Sequence, residues 1–256
     1  MILLLGGTSE TAMIAEALAA DGYEIVVSTA TEIPLDVGRH PRISHRKGRL
    51  NESDMAVLVK EKKIKAVVDA AHPYASHVHS MARRVAQASG VYYAAYVRPS
   101  ILPGDDCVQL ASTHEEAASA CFRNGCPVLL TIGSKNLQPY AREALRTGTT
   151  LFARVLPHVD SIALCRQAGI PDARIIVGRG PFSIEENREH IRANHIGVLV
   201  TKDSGKAGGV PEKLEAANAE GCRVIMVVRP QQPSANAFED IQALMRGLAM
   251  HIPGKQ

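Results

Sequence analysis

The sequence predicts an α/β protein with mainly parallel sheets. Three observations carry this: short valine-, isoleucine- and leucine-rich runs that do not alternate with polar residues, amphipathic stretches between them, and glycines at many of the joins. A strand with one wet face alternates polar and apolar residues. These runs do not, so helices are expected on both faces of the sheets.

The runs expected as strands are Ile2–Leu5, Glu24–Thr29, Ala66–Ala70 and Val91–Val97 in the first half. Val128–Thr131, Leu151–Leu156, Arg174–Val177, Gly197–Thr201 and Arg223–Val228 follow in the second. A helix over 11–20 follows the first run. Asn51 is placed to cap a helix running to Lys62, because its side-chain oxygen can accept from the first unpaired amides. Thr113 with Glu116, and Ser183 with Glu186, have the spacing of a capping box. A last helix is expected around 236–250.

Two prolines and a glycine interrupt this rhythm between Arg98 and Asp106 and mark a seam. A second break, from Arg229 to Ser234, precedes the last helix. The expectation is two Rossmann-like domains, 1–101 binding a dinucleotide and 102–256 completing the site, with an active-site cleft between them. The sequence does not say on which domain the last helix packs.

Bulk composition narrows the function. A chain of 256 residues has room for one large core or two small ones. A formal charge of +3 is too small for a dedicated nucleic-acid binder, yet a slight cationic excess suits a polyanionic small molecule. Cys107, Cys121, Cys126, Cys165 and Cys222 are scattered and form no CxxC or zinc spacing, which fits a reduced, cytoplasmic setting. Met1–Leu5 has no basic leader and runs at once into Gly6-Gly7, against a signal peptide. No run approaches the ~18 apolar residues that would span a bilayer.

The first strand meets Gly6-Gly7-Thr8-Ser9-Glu10 and then a helix. Glycines let the main chain approach a pyrophosphate, and the helix start favours its negative charge. The pattern is an incomplete G-x-G-x-x-G, so a tight turn capped by Thr8 or Ser9 is the competing account. Dinucleotide folds usually place an acid at the end of the second strand for the ribose hydroxyls. Here Ser28 and Thr29 stand there, and a basic run from Arg39 to Arg49 follows, including Gly48. That setting favours the 2′-phosphate of NADPH over NADH, against the alternative of a solvated basic loop. Asp69-Ala-Ala-His72-Pro73-Tyr74-Ala75 closes a buried run. Pro73 suits the first position of a helix, and His72 would stand at the carboxyl edge of the sheet, where ligands bind. A metal held by His72, His77 and His79 is disfavoured, because His77 and His79 point to nearly opposite sides of a helix.

In the second half, Thr131-Ile-Gly-Ser134-Lys135-Asn136-Leu repeats the logic of the first turn and adds a lysine. Arg154-Val-Leu-Pro and Gly178-Arg-Gly-Pro-Phe-Ser183 also end runs. Thr201-Lys202-Asp203-Ser204-Gly205 opens a glycine-rich stretch reaching Lys213. These turns would form a polar, cationic wall; for each alone, capping and turn-making is the plain account.

Taken together, GGT-S-E, D-A-x-H-P-Y-A, T-x-G-S-K-N-L, R-V-L-P, G-P-F-S, T-K-D-S-G-x-x-G-G-x-x-E-K-L-x-A-A and V-V-R-P occur in order. In this the chain resembles the precorrin-6A reductase family, which includes the cobalt-precorrin-6A reductases, from Ile2 to about Pro230. It departs from the family in carrying no tryptophan, with Leu102 and Cys107 in the interdomain segment. The resemblance implies an oxidoreductase of cobalamin biosynthesis, passing hydride from NAD(P)H to a ring double bond of precorrin-6A or cobalt-precorrin-6A to give the 6B product.

On that reading the cofactor side comprises Gly6, Gly7, Thr8, Ser9 and Thr29, with Gly48, Arg49, Asp69 and Pro73. Tyr74, Ser134, Lys135 and Asn136, with Arg154, Ser204, Gly205 and Lys213, would face the tetrapyrrole and its acid arms. His72, Asp203 and Lys202 are the expected catalytic groups, with His72 and Asp203 as candidate proton donors and bulk water as the alternative. The protein would act as a monomer or weak homo-oligomer, without nucleic acid, membrane or metal. Two rivals remain: an NAD(P)H-dependent reductase of another small molecule, and a non-catalytic NADPH sensor using the first half alone. The Tyr-x-x-x-Lys pair of short-chain dehydrogenases is missing, since Val78 stands four residues after Tyr74.

Overall fold

The computed structural model describes residues 1–30, 34–100, 108–229 and 236–252. Leu102, Cys107 and much of both expected breaks lie outside these residues. The first stretch holds β1 (Ile2–Leu5), α1 (Thr11–Ala20), β2 (Ile25–Thr29), β3 (Ile43–Lys47), α2 (Glu52–Glu61), β4 (Ala66–Asp69), α3 (Ser76–Ala88) and β5 (Tyr92–Tyr96). The second holds β6 (Val108–Ala111), α4 (His114–Cys121), β7 (Val128–Leu130), α5 (Gln138–Thr147), β8 (Leu151–Val155), α6 (Val159–Gln167), β9 (Ile175–Val177), α7 (Ile184–Ala193), β10 (Val198–Lys202), α8 (Val210–Ala219) and β11 (Arg223–Val227). The chain closes with β12 (Ala237–Phe238) and α9 (Ile241–His251).

These elements form two compact units, one of residues 1–99 with 230–256 and the other of 100–229. The first boundary lies between Pro99 and Ser100. The last helix does not belong with 102–256, because Leu244 and Leu248 are buried in the core of the first unit beside Ile14 and Leu18.

Each unit has one six-stranded sheet whose pairings are all parallel. The orders are β12-β5-β4-β1-β2-β3 and β6-β11-β10-β7-β8-β9. Each is the doubly wound, Rossmann-like arrangement, with the direction of winding reversing between β1 and β4 or between β7 and β10. The outermost strand beyond β5 or β11 comes from outside the regular run in both cases, as β12 in one and β6 in the other.

The lack of alternation in β1 has a direct cause. Ile2 and Leu4 pack with Ile14, Leu18, Leu244 and Leu248, while Leu3 and Leu5 pack with Met55, Val59, Met81 and Val85. Both faces are covered, so no position is left for a polar side chain.

Several local expectations change. The basic run is not a loop: residues 43–47 form edge strand β3, with Ile43 half-buried and Ser44, His45 and Lys47 exposed. Its single apolar residue gave no strand signal. Pro73 does not open α3, which begins at Ser76. The Ala75 amide closes a separate turn on the His72 carbonyl at 2.7 Å before the helix starts. The last helix is shorter than 236–250, because 237–238 pair with β5 and Asp240 caps at the Ala243 amide. The box at Ser183 is complete, whereas Glu116 accepts from the Ser112 amide rather than from Thr113. Among the described residues no helix is long and apolar enough to cross a membrane.

Candidate active site

Ligands of open parallel sheets bind beyond the carboxyl ends of the strands, where the winding reverses. In the first unit that place lies between the turns after β1 and β4, with Leu5 and Asp69 facing each other in register. The turn after β1 is as tight as glycine allows. A Cβ on Gly6 would lie 2.5 Å from Thr11 Cγ2, whereas one on Gly7 would meet nothing within 4 Å. Gly7 has φ +118°, a conformation that side-chain-bearing residues avoid. The Thr11 hydroxyl accepts from the Gly7 and Thr8 amides, each at 3.1 Å. No side chain caps the start of α1.

The Thr8 and Ser9 hydroxyls shape this turn. Thr8 donates to the Ala70 carbonyl at 3.2 Å and so joins the two turns of the edge. Ser9 donates to the Glu10 carboxylate, which is buried and paired with Arg98. Burial alone would raise the Glu10 pKa, but Arg98 outweighs it and holds the group below its ordinary value. The sequence reading missed both residues of this pair.

At the end of β2, Thr29 Oγ1 lies 2.9 Å from His45 Nε2, and Lys47 stands opposite Thr29 in register. Gly48 follows with φ +100°, then the exposed Arg49. Ser28 and Thr29 end β2, Glu32 lies outside the described residues, and the neighbouring strand brings cations beside Thr29. The half-buried His72 and Tyr74 lie in the turn after β4, with ring centroids 5.8 Å apart and Pro73 buried between them in sequence. The Asp69 carboxylate is buried; it accepts from the Ala71 amide, the Tyr93 hydroxyl and the His79 ring.

The corresponding edge of the second unit gathers positive charge. Arg154, at the end of β8, is 5% exposed. Its guanidinium lies 4.1 Å from the Phe182 ring centre and donates to Asn187 Oδ1 at 2.8 Å and to His190 Nδ1 at 3.1 Å. Gly178 makes room for that ring, since a Cβ there would lie 2.7 Å from Phe182 Cζ. Lys213, on α8, is 8% exposed and donates to the Gly208 carbonyl at 2.8 Å. Lys202 ends β10.

Burial pushes the Lys202 and Lys213 ammonium groups down to about 8; Lys135 adds to the effect on Lys202, and Arg154 to that on Lys213. Burial likewise lowers Arg154 to about 10. The influence of Glu186 on Arg154 and of Glu212 on Lys213 offsets part of this. Burial and the Lys202 charge also lower His114, whose ring bonds the buried Tyr140 hydroxyl at 2.9 Å. Ser134 is half-buried; Lys135 and Asn136 are exposed in the turn after β7.

Asp203 has a different setting. Its carboxylate is paired with Arg229 at 2.7 and 2.9 Å and accepts from the Ser100 hydroxyl at 2.7 Å. Ser204 is buried behind it with its hydroxyl on the Gly208 carbonyl, and Gly205 turns with φ +72°. Arg229, Asn187, His190, Phe182 and His114 escaped the residue-by-residue reading, although G-P-F-S and V-V-R-P contain two of them. A hollow of about 430 Å³ opens at the opposite end of the second sheet, beside Leu151, Ile170, Arg142 and Arg174, and touches none of the predicted residues.

The family model for precorrin-6x reductase CbiJ/CobK matches residues 1–249. A cobalt-precorrin-6A reductase of Priestia megaterium is 33% identical over 249 residues, covering 97% of this chain and 98% of its own. A precorrin-6A reductase of Rhodobacter capsulatus is 29% identical, covering 98% and 96%. A solved structure described as CobK precorrin-6A reductase superposes with a TM-score of 0.79 at 25% identity, covering 98% of this chain and 96% of that one. The chain is therefore an enzyme of the precorrin-6x reductase family, an oxidoreductase of cobalamin biosynthesis.

Proposed function

We propose that this enzyme reduces one ring double bond of precorrin-6A, or of its cobalt-containing counterpart, to the 6B product in the cytoplasm. NADPH is the hydride source. The first unit's edge takes the dinucleotide and the second unit's edge takes the acid arms of the tetrapyrrole.

The observation that carries this reading is the cationic edge of the second unit. Buried charges that repel one another are costly unless an anion joins them. Arg154 and Lys213 are held by amide, imidazole and carbonyl groups, which orient the cations without neutralising them. Acetate and propionate arms would supply the missing negative charge through charge-assisted hydrogen bonds.

The first edge fits a dinucleotide phosphate on this structure's own terms. The Gly7 main chain faces open space, and α1 begins without a side-chain cap. Thr29, Lys47 and Arg49, around the turn at Gly48, provide hydroxyl and cationic groups for a 2′-phosphate. When bound, the nicotinamide supplies the hydride; the protein binds, orients and shields. His72 remains a candidate source of the proton beside bulk water, because Asp203 is committed to holding Arg229.

Lys202→Ala is expected to raise KM for the tetrapyrrole about tenfold, the scale of one charged hydrogen bond, while the Kd for NADPH stays constant. Steady-state kinetics beside direct dinucleotide titration checks this, and an unchanged tetrapyrrole KM removes Lys202 from the site.

The two lysines also fix a pH dependence. Anion binding needs both protonated, so kcat/KM for the tetrapyrrole should fall as pH rises through about 8. Stability should move the other way. Between about 8 and the unfolded value of 10.5 the unfolded chain binds protons that the folded one has released, so stability gains with pH. Denaturant titrations across that window should show the gain, and Lys213→Met should flatten it.

A further inference from the structure

We infer that His79 is a positioning residue for the dinucleotide: a doubly protonated imidazolium that clamps the His72–Tyr74 turn between Asp69 and the His72 carbonyl. The inference rests on the reading that the first unit's edge binds NADPH, and it adds a residue that does not itself touch the ligand.

His79 lies on the first turns of α3 and is 4% exposed. Its Nδ1 lies 2.8 Å from Asp69 Oδ2, and its Nε2 lies 3.1 Å from the His72 carbonyl oxygen. A carbonyl oxygen carries no hydrogen and can only accept. The Asp69 carboxylate accepts from the Tyr93 hydroxyl at 2.8 Å and the Ala71 amide at 3.1 Å, and in its ionised form it too can only accept from the ring. Both contacts are hydrogen bonds together only if both ring nitrogens bear hydrogen.

The charged and titratable groups facing this ring come from each packed element: Asp69 from β4, Tyr93 from β5 and His72 from the turn. Arg83 of α3 sits 5.6 Å over the Tyr93 ring. Asp69 supplies the countercharge for the imidazolium.

The clamp ties this turn to α3. α3 begins only at Ser76, and Ala75 gives it no side-chain cap. The His72 carbonyl is gripped by His79 and by the Ala75 amide. One residue back from Ala71, the Ala70 carbonyl receives the Thr8 hydroxyl of the glycine turn. The position of His72, Pro73 and Tyr74 beside that turn is thus set from behind by a buried ion pair.

Nitrogen NMR on ¹⁵N-histidine-labelled wild-type enzyme at neutral pH tests the protonation directly. Two protonated ring nitrogens on His79 are expected, and a ring with one bare nitrogen overturns the proposal whatever the activity. His79→Ala and Asp69→Asn, each shown to be folded, are then titrated with NADP⁺. Binding about tenfold weaker is expected, as for loss of one charge-assisted hydrogen bond. The defect should appear in KM for the dinucleotide, with the tetrapyrrole KM changing far less. Wild-type affinity in a folded variant overturns the positioning role. Should a variant not fold, the wild-type spectrum with and without NADP⁺ decides: His72 and His79 signals that ignore saturating ligand overturn it. A wild-type enzyme that binds no NADP⁺ would instead sink the functional reading and leave the ring protonation standing.

Discussion

Asp203→Ala is expected to destabilise the second unit by about 3 kcal/mol or more, the low end of the range for removing one member of a buried ion pair. The Asp203 side chain is 1% exposed and that of Arg229 15%. With the carboxylate gone, the guanidinium loses the two bonds at 2.7 and 2.9 Å while staying largely out of water. Ser100 loses its acceptor as well. Asp203→Asn keeps an oxygen for one donor but no charge and should fall between the two. Urea unfolding followed by circular dichroism measures the difference. A loss below about 1 kcal/mol would mean the pair is solvated, as exposed pairs are, and would return Asp203 to the list of proton donors.

The second large effect concerns Arg154. Changing it to leucine should lower kcat/KM for the tetrapyrrole by about 10- to 150-fold, the equivalent of ~1.5–3 kcal/mol for a charged hydrogen bond. Leucine retains much of the buried apolar contact with Phe182, so the loss should be one of recognition more than of folding. Arg154→Lys should rescue little. An ammonium cannot lie flat over the Phe182 ring while reaching Asn187 and His190, and the guanidinium plane does both. NADP⁺ affinity should not move, since Arg154 belongs to the second unit. A kcat/KM within about threefold of wild type would place the acid arms elsewhere.

The sheets were readable because burial on both faces writes itself into composition: β1 and β7 have no polar residue, and β4 and β10 carry theirs only at the carboxyl end. The missed strands are those the rule does not cover. β3 is an edge with exposed Ser44, His45 and Lys47, β6 is an edge with Gln109 and the exposed Leu110, and β12 is two residues long. The turns were readable through Gly6, Gly7 and Gly205, whose backbone roles exclude most other residues.

Partners were not readable, because they depend on distant pairing. Nothing local to Asp203 announces Arg229, 26 positions away, and nothing at Glu10 announces Arg98. His79 was weighed only as a metal ligand from its spacing; its role follows from the arrival of Asp69 and the His72 carbonyl on either side. For the same reason Pro73 suggested a helix start: the competing turn is held by groups that sequence spacing does not bring together.

The return of the chain to its first sheet has a consequence for biosynthesis. Leu244 and Leu248 cover the face formed by Ile2, Leu4, Ile14 and Leu18, and β12 adds the outer strand beside β5. During translation the apolar face of the first unit must therefore wait uncovered until residues 237–251 leave the ribosome. The intervening unit, 100–229, is continuous in sequence and can close first. A nascent chain stalled before residue 236 would present an unfinished parallel-sheet unit to chaperones, so a later segment completes an earlier one.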